Sequence, residues 1–247
     1  MRHTERAYRD FSDSDRWRAF HVRVETTDLY IRAAADYSSR VRDLVSRLRG
    51  EILAHIAQHR DFLTALAPIA RIDTASYIVN SMLDASEAAG VGPMAAVAGA
   101  IAAAVGSDLA ADSNEVIVEN GGDIWLRLAS PALVDVYAPG TPFAGRLALR
   151  IDPAKTPLGI CTSSGRVGPS LSFGRADAAT VLATDAALAD AVATETGNRA
   201  RRPEDAGAAL EYALGVPGVI GALVVIRDTL AVRGDIELVD PSDDGAR

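Results

Sequence analysis

The stretch Glu115 Val116 Ile117 Val118 Glu119 Asn120 Gly121 Gly122 Asp123 Ile124 Trp125 Leu126 Arg127 Leu128 divides the chain into two kinds of sequence. β-Branched and aromatic residues on both sides of an Asn-Gly pair predict a hairpin, with strand 115–119 turning at Asn120 to Asp123 into strand 124–128. Ahead of it the pattern is mostly helical. Val41, Leu44, Val45, Leu48, Ile52, Leu53 and Ile56 recur at helical spacing between Ala34 and about Ala65, on a helix open to a break at Gly50. Further helices are predicted from Ser76 to Ala88, and from the Gly92 Pro93 start to Val105 with Gly106 as the stop. An opening hairpin, His21 to Glu25 and Asp28 to Arg32, turns at Thr26 and Thr27.

Behind the central hairpin, strands are expected at Leu133 to Tyr137, Leu147 to Ile151, Gly159 to Ser164 and Ala176 to Leu182. A short helix, Pro203 to Leu214, precedes a terminal hairpin, Val219 to Arg227 and Leu230 to Val232, turned near Asp228. No linker-like stretch and no fixed repeat interrupts this order. The expectation is one compact α+β domain over residues 1–240 with a frayed tail at 241–247.

Composition narrows the function classes. With 247 residues and 49% hydrophobic content the chain can bury a sizeable core. A net charge of −8 argues against general nucleic-acid binding, and the arginines between Arg2 and Arg60 are interleaved with acids as on solvated faces. The single cysteine, Cys161, excludes an internal disulfide and a multi-cysteine zinc site. It reads as a small buried hydrophobe, since no histidine or basic cluster is near it in sequence. The N-terminus has no apolar run of signal-peptide type, and the runs near Val97 to Val105 and Val219 to Ile226 are too short to span a bilayer. A cytoplasmic protein without a membrane partner is expected.

Chemistry concentrates in four segments. Asp185 Ala186 Ala187 Leu188 Ala189 Asp190 Ala191 Val192 Ala193 Thr194, followed by Gly197 and Asn198, predicts a helix capped by Asp185 and stopped at Gly197. Asp190 and Thr194 then share a face. One reading is a solvated acid on a packing helix; the other is a hard-oxygen pair suited to magnesium, which keeps waters and takes other ligands from phosphates. Gly92 to Gly99 is a helix start of small residues, suited to close packing or to an anion at free amides. Asn120 Gly121 Gly122 Asp123 is a hairpin turn that also admits a ligand close to the backbone. Thr162 Ser163 Ser164 Gly165 Arg166, leading to Pro169 and Ser170, follows a strand with hydroxyls, glycine and a guanidinium fit to cradle phosphate oxygens, without P-loop spacing. His55 and His59 lie four apart but have only Glu51 nearby, so they read as a solvent-facing pair. No catalytic residue can be assigned from chain order.

Taken in this order, the segments resemble the ApbE superfamily, known for flavin transferases that move FMN from FAD to a protein threonine, and within it an uncharacterised cytoplasmic branch. The resemblance runs from about Trp17 to the terminal hairpin, on Glu25 to Leu29, Gly92 to Gly99, Glu119 to Asp123, Gly159 to Gly165 and Ala189 to Gly197. It implies mixed sheets flanked by helices, with Mg²⁺ at Asp190 and Thr194. It also implies an FAD site lined by Asn120, Gly121, Gly122, Asp123, Thr162, Ser163, Ser164 and Gly165, to which the residue chemistry adds Arg166. The implied function is magnesium-dependent binding and processing of a flavin nucleotide, by FMN transfer to an acceptor protein or by FAD pyrophosphate cleavage. The alternative is a non-catalytic module for a flavin or similar phosphorylated small molecule; a homo-oligomer is compatible with either. Two positions depart from the transferase pattern. Pro169 stands where a histidine is expected, and Gly92 Pro93 Met94 replaces an Asp-Gly-Gly with its lysine.

Overall fold

The computed structural model describes residues 16–71, 75–165 and 174–242. The opening hairpin pairs β1 (Arg18–Val24) with β2 (Thr27–Ala33). Its turn is Glu25 and Thr26, one residue earlier than the pattern suggests, with Glu25 at φ 54°. Helix α1 (Ser38–Gln58) passes through Gly50 without a break. Leu48 and Ile52 on either side of that glycine are both buried, so packing carries the helix across it. It ends at His59, and a single turn, α2 (Asp61–Thr64), follows.

Helix α3 (Tyr77–Ala89) leads through a 3-10 turn, Pro93–Ala96, into α4 (Val97–Leu109). Gly106 is inside α4 and does not stop it. A Cβ there would lie 2.0 Å from Cε3 of Trp125, so the residue is small to seat an indole ring. β3 (Val116–Asn120) and β4 (Asp123–Arg127) form the predicted hairpin. Gly121 and Gly122 sit at φ 74° and 111°, which is what a tight two-residue turn demands of both positions.

The remaining strands are β5 (Ala132–Asp135), β6 (Ala148–Ile151), β7 (Leu158–Ser163) and β8 (Ala178–Ala183). Helices α5 (Ala186–Arg199) and α6 (Ala206–Gly215) precede β9 (Val219–Ile226), β10 (Thr229–Gly234) and β11 (Leu238–Val239). The last of these was not expected; two residues are too few to show a period.

Two antiparallel sheets result. Eight strands run in the order β1-β2-β3-β4-β7-β8-β9-β10, and β11-β6-β5 form a smaller sheet. The large sheet carries helices on one face and the small sheet on the other. Alternation along β9 shows why: Ala222, Val224 and Ile226 belong to the helix-side core, while Leu223 and Val225 join the core under the small sheet. This is the α+β architecture expected. Among the described residues no single helix is long and apolar enough to cross a membrane; α3 and the Pro93–Leu109 stretch would suffice only together, and they are bent by 106°.

Candidate functional site

Helix α5 organises the site. Its cap is the predicted one, with Asp185 accepting a hydrogen bond from the Leu188 amide at 3.0 Å. The helix does not stop at Gly197 but runs on to Arg199. Gly197 is buried at its inner face, where a Cβ would sit 3.4 Å from the Ser163 hydroxyl. Ala186, Ala187, Ala189, Ala191 and Ala193 are all buried, so the alanines let the helix settle against the sheet and against α3 and α4.

On its other face, Asp190 and Thr194 open into a cavity of about 1420 Å³. Asp190 is half-buried, and its Oδ2 accepts from the Gly99 amide at 2.9 Å, with the Ala98 amide contributing as well. The helix start at Gly92 to Gly99 therefore does offer amides to an anion, but that anion is the chain's own carboxylate. The contact is close because Gly99 has no side chain: a Cβ would lie 2.1 Å from the Ala186 carbonyl oxygen.

Asp123 enters the same cavity from the start of β4, opposite Cys161 on β7. Loss of water, and then the Asp123 charge, push the Asp190 carboxyl well above the usual carboxylate range, against the pull of the two amides. Cys161 is buried beneath this pair, with its sulfur 3.4 Å from the Ala186 carbonyl oxygen. Burial, followed by the two carboxylates, pushes its thiol up, which agrees with a packing role.

Of the hairpin-turn residues, Asp123 lines the cavity, whereas Asn120, Gly121 and Gly122 do not. Asn120 is buried and its Nδ2 donates to the Ala98 carbonyl at 3.1 Å, tying the turn to α4. Thr162, Ser163, Ser164 and Gly165 are likewise outside the lining. Thr162 pairs with Thr180 across β7 and β8, oxygen to oxygen at 2.9 Å, and the Gly165 amide donates to Ala176 at 3.0 Å. Arg166 and Pro169 lie outside the described residues.

Beyond these, the cavity has an apolar wall and a cationic rim. Leu63, Leu66, Met94 and Val97 form the wall. Arg175, Arg199, Arg201 and Arg202 form the rim, and sequence reasoning missed all four. The Arg199 Ala200 Arg201 Arg202 run at the end of α5 was a readable signal; Arg175 gave none. His55 also differs from expectation. It is buried, not solvent-facing, stacked between His59 and Phe62 with ring centroids 4.7 Å from each. Among the described residues no three His, Cys, Asp or Glu side chains converge as a metal cluster.

The family model described as "AbpE bacteria" matches residues 9–216. The chain belongs to that family. Among its relatives, a UPF0280 protein of Methanocella arvoryzae is 42% identical over 212 residues, 85% of this chain and 86% of the relative. A UPF0280 protein of Methanocaldococcus jannaschii is 36% identical over 230 residues, 90% and 93% of the two chains. Two solved structures share the fold of the family at 14% identity. The flavin transferase ApbE from Vibrio cholerae superposes with a TM-score of 0.58, covering 88% of this chain and 97% of its own. The apo flavinyl transferase ApbE of Pseudomonas stutzeri gives 0.53, covering 88% and 94%.

Proposed function

We propose that the cavity binds FAD with magnesium, and that the chain's chemistry is directed at the diphosphate. The observation that carries this is the meeting of Asp190 and Asp123, brought from α5 and β4, with Thr194 one helical turn along. Two carboxylates drawn together away from water repel each other, and a divalent cation relieves that repulsion. The donor set of two carboxylates and one hydroxyl is all hard oxygen. It fits Mg²⁺, which binds proteins through one or two carboxylates and leaves its other places to water and phosphate. When bound, magnesium neutralises diphosphate charge and stabilises the departing nucleotide.

The chain's own residues do the rest. The Ala98 and Gly99 amides fix the orientation of Asp190 before any ligand arrives. Leu63, Met94 and Val97 offer a dry surface to an aromatic ring. In the reaction, a hydroxyl oxygen bonds to the flavin-side phosphorus as the bridging P–O bond breaks and AMP leaves. If the hydroxyl is a threonine of an acceptor protein the product is a flavinylated protein; if it is water, the product is FMN. Either attack must surrender a proton. Among the described residues no histidine lines the cavity, which favours slow turnover and supports a second reading, a module that binds FAD without rapid chemistry.

The test is FAD binding, followed by thermal shift, with and without magnesium. Ligand at about 100 times its dissociation constant adds about 2.7 kcal/mol of stability. The unmutated protein should bind FAD more tightly with magnesium, and Asp190→Ala should bind it equally with and without. Equal affinity in the unmutated protein refutes the metal, and no shift with FAD refutes the flavin.

A further inference from the structure

The cationic rim has no part in the reading above. Its four arginines stand out in a chain of net charge −8. Two are neutralised: Arg199 Nε meets Glu195 Oε1 at 2.9 Å and stacks over the Tyr212 ring at 4.0 Å, while Arg202 meets Asp205 at 3.4 Å. Neither of the other two guanidiniums meets a carboxylate among the described residues, although the Arg201 main-chain amide donates to Asp205 Oδ2 at 3.3 Å. Arg201 uses only its Nε, at 3.4 Å from the Asn198 carbonyl, and the guanidinium of Arg175 makes no hydrogen bond or ion pair there.

Capping of the α5 C-terminus accounts only for the Arg201 Nε bond to the Asn198 carbonyl. The Thr196 carbonyl accepts from the Ala200 amide, Arg199 from the Arg201 amide, and Ala200 from the Arg175 amide at 3.1 Å. Backbone donors serve the rest of the helix end, so the two guanidiniums on the cavity lining are left with donors that meet no carboxylate among the described residues, Glu195 and Asp205 of the same lining being paired with Arg199 and Arg202.

Position separates this rim from the carboxylate floor. Asp190, Thr194 and Asn198 follow at four-residue steps along one face of α5, which places Asn198 about 12 Å from Asp190 at 1.5 Å per residue. The Arg201 guanidinium is held at the Asn198 level, and the Arg175 backbone is bonded to Ala200 just beyond. One diphosphate, with two phosphorus centres joined by a single oxygen, cannot span from the floor to the rim.

We infer that Arg175 and Arg201 form a second anion subsite that takes a phosphate group distinct from the metal-held diphosphate; the Asn198 side-chain amide, which donates to Glu195 Oε2 at 3.2 Å, marks its level on α5 and is not one of its donors. Planar guanidiniums favour phosphate oxygens because each can donate two parallel hydrogen bonds. The group binds without a metal, since the rim is itself positive. This inference does not depend on FAD or magnesium binding at the floor.

The experiment uses inorganic phosphate as the probe and the full chain in EDTA, with sodium chloride at matched ionic strength as the reference. The temperature of thermal unfolding should rise in a saturable way with phosphate in EDTA, with no magnesium required. Arg175→Gln and Arg201→Gln, both exposed, should each weaken the apparent affinity about ten-fold while melting normally in chloride. The double variant should lose the saturable rise and keep only the general stabilisation that phosphate gives any protein. A rise of equal size and midpoint in the double variant, or a rise that appears only with magnesium, overturns the inference.

Discussion

Replacing Gly99 by alanine tests how Asp190 is seated, and replacing Gly50 is its control. In a helix interior the exchange of glycine for alanine is ordinarily favourable by about 1 kcal/mol. At Gly50 nothing lies within 4 Å of the new Cβ, so Gly50→Ala should be stabilising by about 0.4–1 kcal/mol, a rise in Tm of roughly 1–4 °C. At Gly99 the Cβ would lie 2.1 Å from the Ala186 carbonyl oxygen and 2.8 Å from Asp190 Cβ. The obstacle is backbone, which cannot swing aside as a side chain does. Overpacking of this kind costs about 1–3 kcal/mol, and parting α4 from α5 breaks the hydrogen bond from the Gly99 amide to Asp190, about 1 kcal/mol more. Against the propensity gain, a net loss of about 1–3 kcal/mol follows, or a fall in Tm of roughly 2–12 °C. Magnesium-dependent FAD binding should weaken with it. Thermal melts of both variants and FAD titrations decide the matter. A Gly99→Ala protein as stable as the unmutated one, with unchanged magnesium dependence, would refute the account of the Asp190 seat.

Three further outcomes are expected. Glu115 accepts from Arg16 Nε at 2.9 Å and from the Ala129 and Ser130 amides, and the Arg16 bond chiefly holds its carboxyl below the usual range. Its contribution is therefore present above the unfolded value of about 4.3 and lost as pH falls through the lower folded value, so Glu115→Gln should cost about 1–2 kcal/mol at pH 7 and flatten the acid limb of denaturant-measured stability. His55 is lowered as well, for a different reason: burial, then His59, disfavours its charged form, and its Nε2 is buried without a partner among the described residues. Stability should be unaffected above the unfolded value near 6.5 and fall as pH drops below it until the folded ring also protonates, a dependence that His55→Phe removes. Finally, incubation with FAD, magnesium and a threonine-bearing acceptor domain should label the acceptor slowly, as denatured-protein fluorescence would show, because a missing general base forfeits on the order of 10²–10⁴ in rate; labelling at ordinary enzymatic rates would contradict this.

Local chemistry was legible in the sequence where it is self-contained. The paired glycines of the central hairpin and the Asp185 cap depend on neighbours a few residues away, and both stand as read. Gly106 and Gly197 look like helix stops because glycine usually is one, yet each answers to a distant partner, Trp125 and the β7–β8 surface. For the site, the pairing of Asp190 with Thr194 follows from helical spacing, but its link to Asp123 needs the sheet register. Asn120 was read as a turn residue that also admits a ligand; its amide ties the turn to α4, a contact no spacing announces. Of the arginine rim, only Arg175 was hidden, because it reaches the end of α5 through tertiary contact alone.

The seat of Asp190 draws on α4, β4 and α5, whose contributing residues Gly99, Asp123 and Asp190 are spread over 91 positions of the chain. No single hairpin or helix can assemble it, so a ligand that requires it has nothing to grip until the sheet order β3-β4-β7-β8 and both helices are in place. Such a ligand would act late in folding, slowing escape from the native state more than it hastens arrival, and its protection in hydrogen exchange would spread to amides far from the cavity.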